Sequence, residues 1–179
     1  MKEELRYKYK IKRKYFQHSA REVAEGAIAD VFIEAFSGFS TFFIYYSFGS
    51  EADTHQLISR LFDMGKRVFL PRVEGGQIVA VEYTGQPLLK GAFGISEPQG
   101  QAFDGEIDVC AAPLLAVDER GFRLGYGGGY YNRYFALHPQ VIKAGIGFNL
   151  QFTEQSFAEE HDVPLDCFVS ERGIISFGK

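Results

Sequence analysis

The 179-residue chain has only two cysteines, Cys110 and Cys167, far apart and in neither a metal-type nor a redox-type pair. A disulfide framework and a thiolate zinc site are thereby excluded. Both cysteines lie in apolar runs that read as strands, "DVCAAPLL" and "DCFVS", and are expected as small buried hydrophobes. The four histidines are scattered, without zinc-type spacing. No apolar run approaches the roughly 20 residues that a membrane-spanning helix needs. The opening "MKEELRYKYK" is charged where an export signal needs an apolar core of roughly 7 to 15 residues. These absences lead to the expectation of a cytoplasmic protein with no membrane partner. Internal repeats and low-complexity tracts are also missing. So are two common phosphate fingerprints: no Lys-Ser or Lys-Thr follows the glycines as G-x-x-x-x-G-K-[ST] requires, and the third glycine of G-x-G-x-x-G, counted from Gly125 and Gly127, is Tyr130.

Core material is ample. With 46% hydrophobic and 16% aromatic residues the composition is that of a globular protein, and the length suits a single domain, residues 1–179, that buries roughly 70% of its unfolded surface. Charge is uneven: against a net −4 for the chain, residues 1–14 hold seven Lys or Arg and two Glu, a +5 segment on a body of −9. A basic arm of this kind suits an anionic partner such as a nucleotide, a polyanionic substrate or RNA, and equally suits a solvated helix face.

The order of patterns gives the fold class. Ser19 and Glu22 read as a capping box that opens a helix, with Val23, Ala27, Ile28, Val31, Phe32 and Ala35 at helical spacing. "TFFIYYS" (41–47) reads as a strand buried on both faces. A helix follows in which Leu57, Ile58, Leu61 and Phe62 share a face and Gly65 supplies the stop. "RVFLP" (67–71) and "QIVAVEY" (77–83) read as strands, residues 84–106 as a long loop, and "IDVCAAPLL" (107–115), "VIKAGIGF" (141–148) and "CFVS" (167–170) as further strands. Strand, helix, strand in series is a crossover unit with parallel neighbours. The expected architecture is therefore a layered α/β domain with a mostly parallel sheet. Ligands of such sheets bind beyond the carboxyl ends of the strands, which places Tyr46 to Asp53, Pro71–Arg72, Pro113 to Tyr131 and Phe148 to Gln151 along one rim.

Within that rim, "RLGYGGGYYNRYF" (123–135) puts four glycines directly before a helix-spaced aromatic run. Glycine is costly to order, so a cluster is kept where the backbone turns sharply or approaches something closely. Amides at a helix N-terminus suit an anion such as phosphate, and Arg123 and Arg133 can add charge-assisted hydrogen bonds. A plain surface turn in front of aromatic core residues is the alternative.

"IDVCAAPLLAVDERGFRLGYGGGYYNRYF" resembles the signature of the 5-formyltetrahydrofolate cyclo-ligase family. The likeness continues through "KEELR", "SEADT", "LPRV", "GAFGISEP" and "HDVPLD", in that family's order. It implies an α/β fold that is a Rossmann-like three-layer sandwich with a mostly parallel sheet, and an ATP- and magnesium-dependent closure of 5-formyltetrahydrofolate to 5,10-methenyltetrahydrofolate with release of ADP and phosphate. It implies nucleotide contacts at Lys2, Arg6, Arg123, Leu124, Gly125, Tyr126, Gly127, Gly128, Gly129, Tyr130 and Tyr131, with Arg123, Tyr130 and Arg133 as the catalytic groups. Folate contacts are implied at Tyr46, Glu51 and Tyr126 to Tyr130, and Asn132 and Asp162 take the magnesium-associated positions. The family pattern usually reads Y-Y-D-R where this chain has "YYNR", and a neutral amide attracts magnesium less than a carboxylate does. The rival readings are a non-catalytic folate- or nucleotide-binding homologue with a weakened metal site and, less in keeping with the motifs, an RNA-binding protein. The chain lacks the aromatic RNP pattern and GXXG module of common RNA readers. A monomer acting on a reduced folate, with no nucleic-acid partner, is expected. Asp53 is expected to cap a helix, whereas Arg72 and Glu97 fit a binding or a loop-bracing part equally.

Overall fold

The computed structural model describes residues 1–178. Four helices are α1 (Lys2–Lys14), α2 (His18–Phe36), α3 (His55–Asp63) and α4 (Tyr130–Leu137). Twelve strands are β1 (Thr41–Ile44), β2 (Arg67–Glu74), β3 (Gln77–Tyr83), β4 (Leu89–Lys90), β5 (Ser96–Glu97), β6 (Val109–Pro113), β7 (Ala116–Asp118), β8 (Arg123–Leu124), β9 (Ile142–Ile146), β10 (Phe152–Thr153), β11 (Cys167–Ser170) and β12 (Gly173–Ser176). Seven strands form the main sheet in the order β12-β11-β9-β6-β1-β2-β3. Pairing is parallel from β11 through β9, β6 and β1 to β2, and antiparallel only at the two edges.

Alternation along the central strands splits the core into two layers, as the period of two dictates. Phe42, Ile44, Val109, Ala111, Ala144 and Ile146 pack with α2 and α3 on one face. Phe43, Cys110 and Ala112 pack with Tyr134 and Phe135 of α4 on the other. Helices thus cover both faces, and the expected three-layer arrangement is present. Cys110 and Cys167 are buried and unpaired, and burial pushes the Cys110 thiol far above its ordinary range. No helix among the described residues is long and apolar enough to cross a membrane.

Several local expectations are corrected. α2 begins at His18 after Gln17, and no side chain caps it, so Ser19 lies inside the first turn. Its entry is fixed from outside: Arg21 donates to the Arg13 carbonyl and its guanidinium lies 4.8 Å from the Phe148 ring centroid. The buried stripe of α2 is Ala24, Ile28, Ala29, Phe32 and Phe36, so Val23 and Ala35 are exposed. Phe62 of α3 is exposed too. β1 ends at Ile44: Tyr45 N still donates to the Ala111 carbonyl of β6, but from the Tyr45 carbonyl onward the chain turns to Thr54, whose Oγ1 donates to that carbonyl at 2.6 Å and accepts from Ser47 N at 3.0 Å. Residues 84–106 contain the short β4–β5 hairpin, and β12 and the small β10-β7-β8 sheet were not foreseen.

Asp53 behaves as a helix cap, accepting from the amides of His55 and Gln56. Arg72 donates to the carbonyls of Pro98 and Gly100, and Glu97 accepts from Val73 N. Both therefore brace the long loop.

Candidate functional site

The basic segment is helical. α1 buries Leu5, Tyr9 and Arg13, one per turn, and Leu5 and Tyr9 pack against Ala116 and Leu124 of the small sheet and the adjoining Leu115. That docking turns Lys2 and Arg6 toward the carboxyl ends of the central strands. Arg6 Nε donates to the Gly125 carbonyl at 3.0 Å while its guanidinium pairs with Glu3. A side chain on Gly127 would lie within 3.5 Å of that guanidinium. The remaining lysines of α1 apart from Lys2 are exposed, as a solvated face would have them.

The glycine segment joins β8 to α4. Gly127 (φ 104°) and Gly129 (φ 69°) occupy the left-handed region that disfavours a side chain, and Gly129 is the residue from which α4 starts. Gly127 and Gly128 are exposed, and their N–H groups meet no acceptor among the described residues. Tyr126 reaches back from this loop to donate its hydroxyl to Glu51 Oε1 at 2.7 Å. Glycine amides, Arg6 and Glu51 are therefore neighbours at one end of the sheet.

Beneath the glycines sits Arg123. Its guanidinium stacks 5.3 Å from the Tyr131 ring centroid, its Nη2 makes one long bond of 3.4 Å to Asn132 Oδ1, and its Nε is buried with no partner. An orphan donor on a cation costs folding free energy, and burial pushes its proton affinity down. Leu124 is a buried core residue whose carbonyl is taken by Leu115 N, so only its position in the chain, not its side chain, reaches the rim. Tyr131 turns inward between both core layers. Tyr130 remains at the rim, with the Arg133 guanidinium 5.0 Å from its ring centroid, and Arg133 itself is tethered to the Gly76 carbonyl at 2.8 Å.

Asn132 and Asp162 meet: Asn132 Nδ2 donates to Asp162 Oδ1 at 2.8 Å. Lys2 Nζ donates to Asp162 Oδ2 at 3.0 Å. Burial raises the Asp162 carboxyl, but the hydrogen bonds from Glu159 N, Lys2 and Asn132 outweigh it and hold the group below the usual carboxylate range. No group of three His, Cys, Asp or Glu that could hold a metal occurs among the described residues. A carboxylate and an amide oxygen are what this pair has to offer, since a half-turn of the amide exchanges Nδ2 for Oδ1. That partial set fits magnesium, which keeps waters and leans on phosphate oxygens.

On the other side of Tyr126, Glu51 accepts from Phe48 N at 2.8 Å through Oε2. Burial outweighs these two hydrogen bonds and the nearby Arg13, and raises its carboxyl above the ordinary range. Tyr46 stands on the same turn, stacked on His55 with centroids 4.0 Å apart and planes at 17°.

Two residues escaped the sequence reading. Phe93 is exposed, has φ 59° and points edge-on to Tyr130 at 6.1 Å, a backbone strain of the sort found at binding sites. Its motif "GAFGISEP" carried no signal for φ, so only the phenylalanine itself pointed to it. Arg13, one cation among seven in its segment, is almost sealed; its i, i+4, i+8 spacing from Leu5 and Tyr9 was the available sign.

Residues 1–171 match the 5-formyltetrahydrofolate cyclo-ligase family. The chain is 35% identical over 137 residues to the 5-formyltetrahydrofolate cyclo-ligase of Escherichia coli K12, covering 71% of this chain and 75% of that protein. The solution structure of Aquifex aeolicus 5,10-methenyltetrahydrofolate synthetase superposes with a TM-score of 0.88 at 29% identity, over 99% of this chain and 93% of the other. A 5,10-methenyltetrahydrofolate synthetase from Mycoplasma pneumoniae, at 22% identity and a TM-score of 0.79 over 95% and 98% of the two chains, shares the fold.

Proposed function

Because the chain belongs to the 5-formyltetrahydrofolate cyclo-ligase family, we propose that it is the enzyme that closes 5-formyltetrahydrofolate to 5,10-methenyltetrahydrofolate at the expense of ATP and with magnesium. The observation that carries this reading is the pair of exposed, unpartnered amides at Gly127 and Gly128, linked to Glu51 by the 2.7 Å Tyr126 hydrogen bond. A triphosphate held by the amides brings its terminal group to a pterin held at Glu51.

The formyl oxygen of the substrate is a poor leaving group. Transfer of the γ-phosphoryl group onto it, with departure of ADP, turns it into a good one. N10 then attacks the formyl carbon, N10 gives up its proton, and phosphate leaves with the former formyl oxygen. Such transfers are catalysed by positioning and by spreading negative charge. Lys2, Arg6 and the backbone from Leu124 through Tyr131 hold the nucleotide. Arg123, whose guanidinium is undersatisfied, and Arg133 supply positive charge toward the charge that moves from ATP to the formyl oxygen. Tyr130 closes the aromatic wall beside that oxygen, with Phe93 opposite. Tyr46 and the Glu51 carboxylate take the flat, amino-bearing pterin. Asn132 and Asp162 would hold magnesium, whose charge offsets that of the phosphates. The setting we propose is a single-domain monomer in the cytoplasm that acts on a small molecule, without nucleic acid or membrane.

The test is to mix the protein with 5-formyltetrahydrofolate, ATP and magnesium and follow the near-ultraviolet band of the methenyl product. Growth of the band with one ADP formed per turnover is expected. Binding of both ligands with no band would instead fit a non-catalytic homologue, and no binding of either would end the reading.

Asn132 supports a separate prediction. Asn132→Asp replaces the 2.8 Å hydrogen bond to Asp162 by two adjacent carboxylates, which repel unless a cation lies between them. The magnesium concentration for half-maximal rate is expected to fall about fivefold to tenfold, and magnesium should raise the melting temperature of the variant more than that of the parent. Equal magnesium dependence in both measurements would contradict the placement.

A further inference from the structure

Arg13 has no part in the chemistry above, yet it lies at the centre of the residues that surround Glu51. It is 3% exposed. Its guanidinium is held by neutral acceptors, Nε donating to Ser50 Oγ at 3.1 Å and Nη1 to the Leu114 carbonyl at 3.1 Å. It stands 5.7 Å from the Tyr126 ring centroid. A buried cation on neutral acceptors is costly, and an apolar side chain there would pack as well on the Leu5 and Tyr9 face of α1. Leu114 lies just past β6 at the carboxyl end of the sheet, and Ser50 precedes Glu51. One side chain therefore ties the nucleotide-side helix to the loop that carries the carboxylate.

We infer that Arg13 is a positioning residue for Glu51: it fixes the Ser50–Glu51 turn from within α1 and supplies the positive field that keeps the carboxylate able to accept hydrogen bonds from the pterin. This rests on the reading that Glu51 receives the folate. The other groups that face Glu51 are Tyr126 of the glycine loop, Tyr45 at the end of β1 and Tyr131 of α4, all of which ionise far above neutrality. Arg21 of α2 donates to the Glu51 carbonyl at 3.0 Å rather than to its carboxyl. Arg13 is thus the cation that acts on the carboxyl, and it does so downward, against burial.

The experiment compares Arg13→Met, Arg13→Lys and Ser50→Ala with the parent for both Michaelis constants, the pH profile of kcat/KM and thermal melting. In Arg13→Met the KM for 5-formyltetrahydrofolate is expected to rise about tenfold and the KM for ATP by less than about twofold. The acid limb of kcat/KM should move to higher pH, because a carboxyl without its cation protonates earlier on acidification. Arg13→Lys keeps the charge, so it should return the limb to its parental position with only part of the KM. Ser50→Ala should raise the folate KM with the limb unmoved. A folded Arg13→Met with parental KM and limb overturns the inference, as does an equal loss for both substrates, which a merely structural role would give. If Arg13→Met does not fold, the other two variants decide it: a raised folate KM in both supports the inference, and parental values in both overturn it. A parent that binds folate without turnover fails the proposed activity and not this inference, which is then read from folate dissociation constants. A parent that does not bind folate removes both.

Discussion

Arg123→Met lowers kcat by about a thousandfold, the order expected when a preorganised charge at a phosphoryl-transfer centre is removed, and it leaves the melting temperature unchanged or raises it. The two halves of this result come from one geometry. In the folded protein Arg123 is undersatisfied: a sealed Nε without a partner, one long bond to Asn132, and a stacking contact with Tyr131. Methionine fills similar space on the Tyr131 ring without any desolvated charge. An undersatisfied cation in the free protein is what the proposed anion-meeting role of Arg123 would leave behind. Steady-state kinetics and a thermal melt on the same preparation check both halves. A folded variant that keeps its rate, or one that loses rate only because it melts, contradicts this role.

Glu51→Gln gives the second large loss, about a hundredfold in kcat/KM for the folate, since a charged acceptor becomes a neutral one where donors of the pterin are to be held. The fold tolerates the change. Glutamine can accept from Phe48 N through its oxygen and donate its amide to the Tyr126 hydroxyl, which is donor and acceptor alike. Burial raises the Glu51 carboxyl in the folded state above its value in the unfolded chain. The folded state therefore binds the proton more tightly, and the stability this contributes is present at low pH and is lost as pH rises through the raised value. At neutral pH the ionised carboxylate is thus a burden on the fold, and Glu51→Gln should melt no lower than the parent there. For activity the sign is opposite: the ionised form binds, so the parent loses kcat/KM as pH falls, earlier than an ordinary carboxylate would require, and the glutamine variant lacks that limb. Melting curves and kcat/KM across pH 5 to 8, a window on the order of that in which proteins are most stable, check the pair of signs.

Much of this arrangement was legible in the chain. A run buried on both faces, such as "TFFIYYS", announces a central parallel strand because nothing in it alternates, and the crossover rule then gives the rim where ligands of such sheets are expected. The glycine segment announced itself by its cost. The misses share a cause, which is that their determinants lie far away in sequence. The Ser19–Glu22 box is a local signal, but Arg21 on Phe148 and on the Arg13 carbonyl sets where α2 enters. Val23 has helical spacing with Ile28, yet the docked stripe runs through Ala24 and Phe36, and only the sheet beneath decides that rotation. β4, β5, β8 and β10 are two residues long, too short for a period of two to register. At the site, residue types marked Arg123 and the glycines, and the family resemblance marked Glu51. No pattern marked that Tyr126 would bridge to Glu51, and only the i, i+4, i+8 spacing from Leu5 and Tyr9 marked Arg13 as the buried cation of its helix.

The most direct test follows the backbone amide resonances of Gly127 and Gly128 while the protein is titrated with a non-hydrolysable ATP analogue and magnesium, and then with 5-formyltetrahydrofolate. Both glycine amides should move saturably downfield with the nucleotide, as donors that gain a phosphate acceptor do, and the Phe48 amide bound to Glu51 should respond when the folate is added. Nucleotide saturation that leaves Gly127 and Gly128 unmoved, or folate saturation that leaves Phe48 unmoved, would place the ligands elsewhere on the molecule.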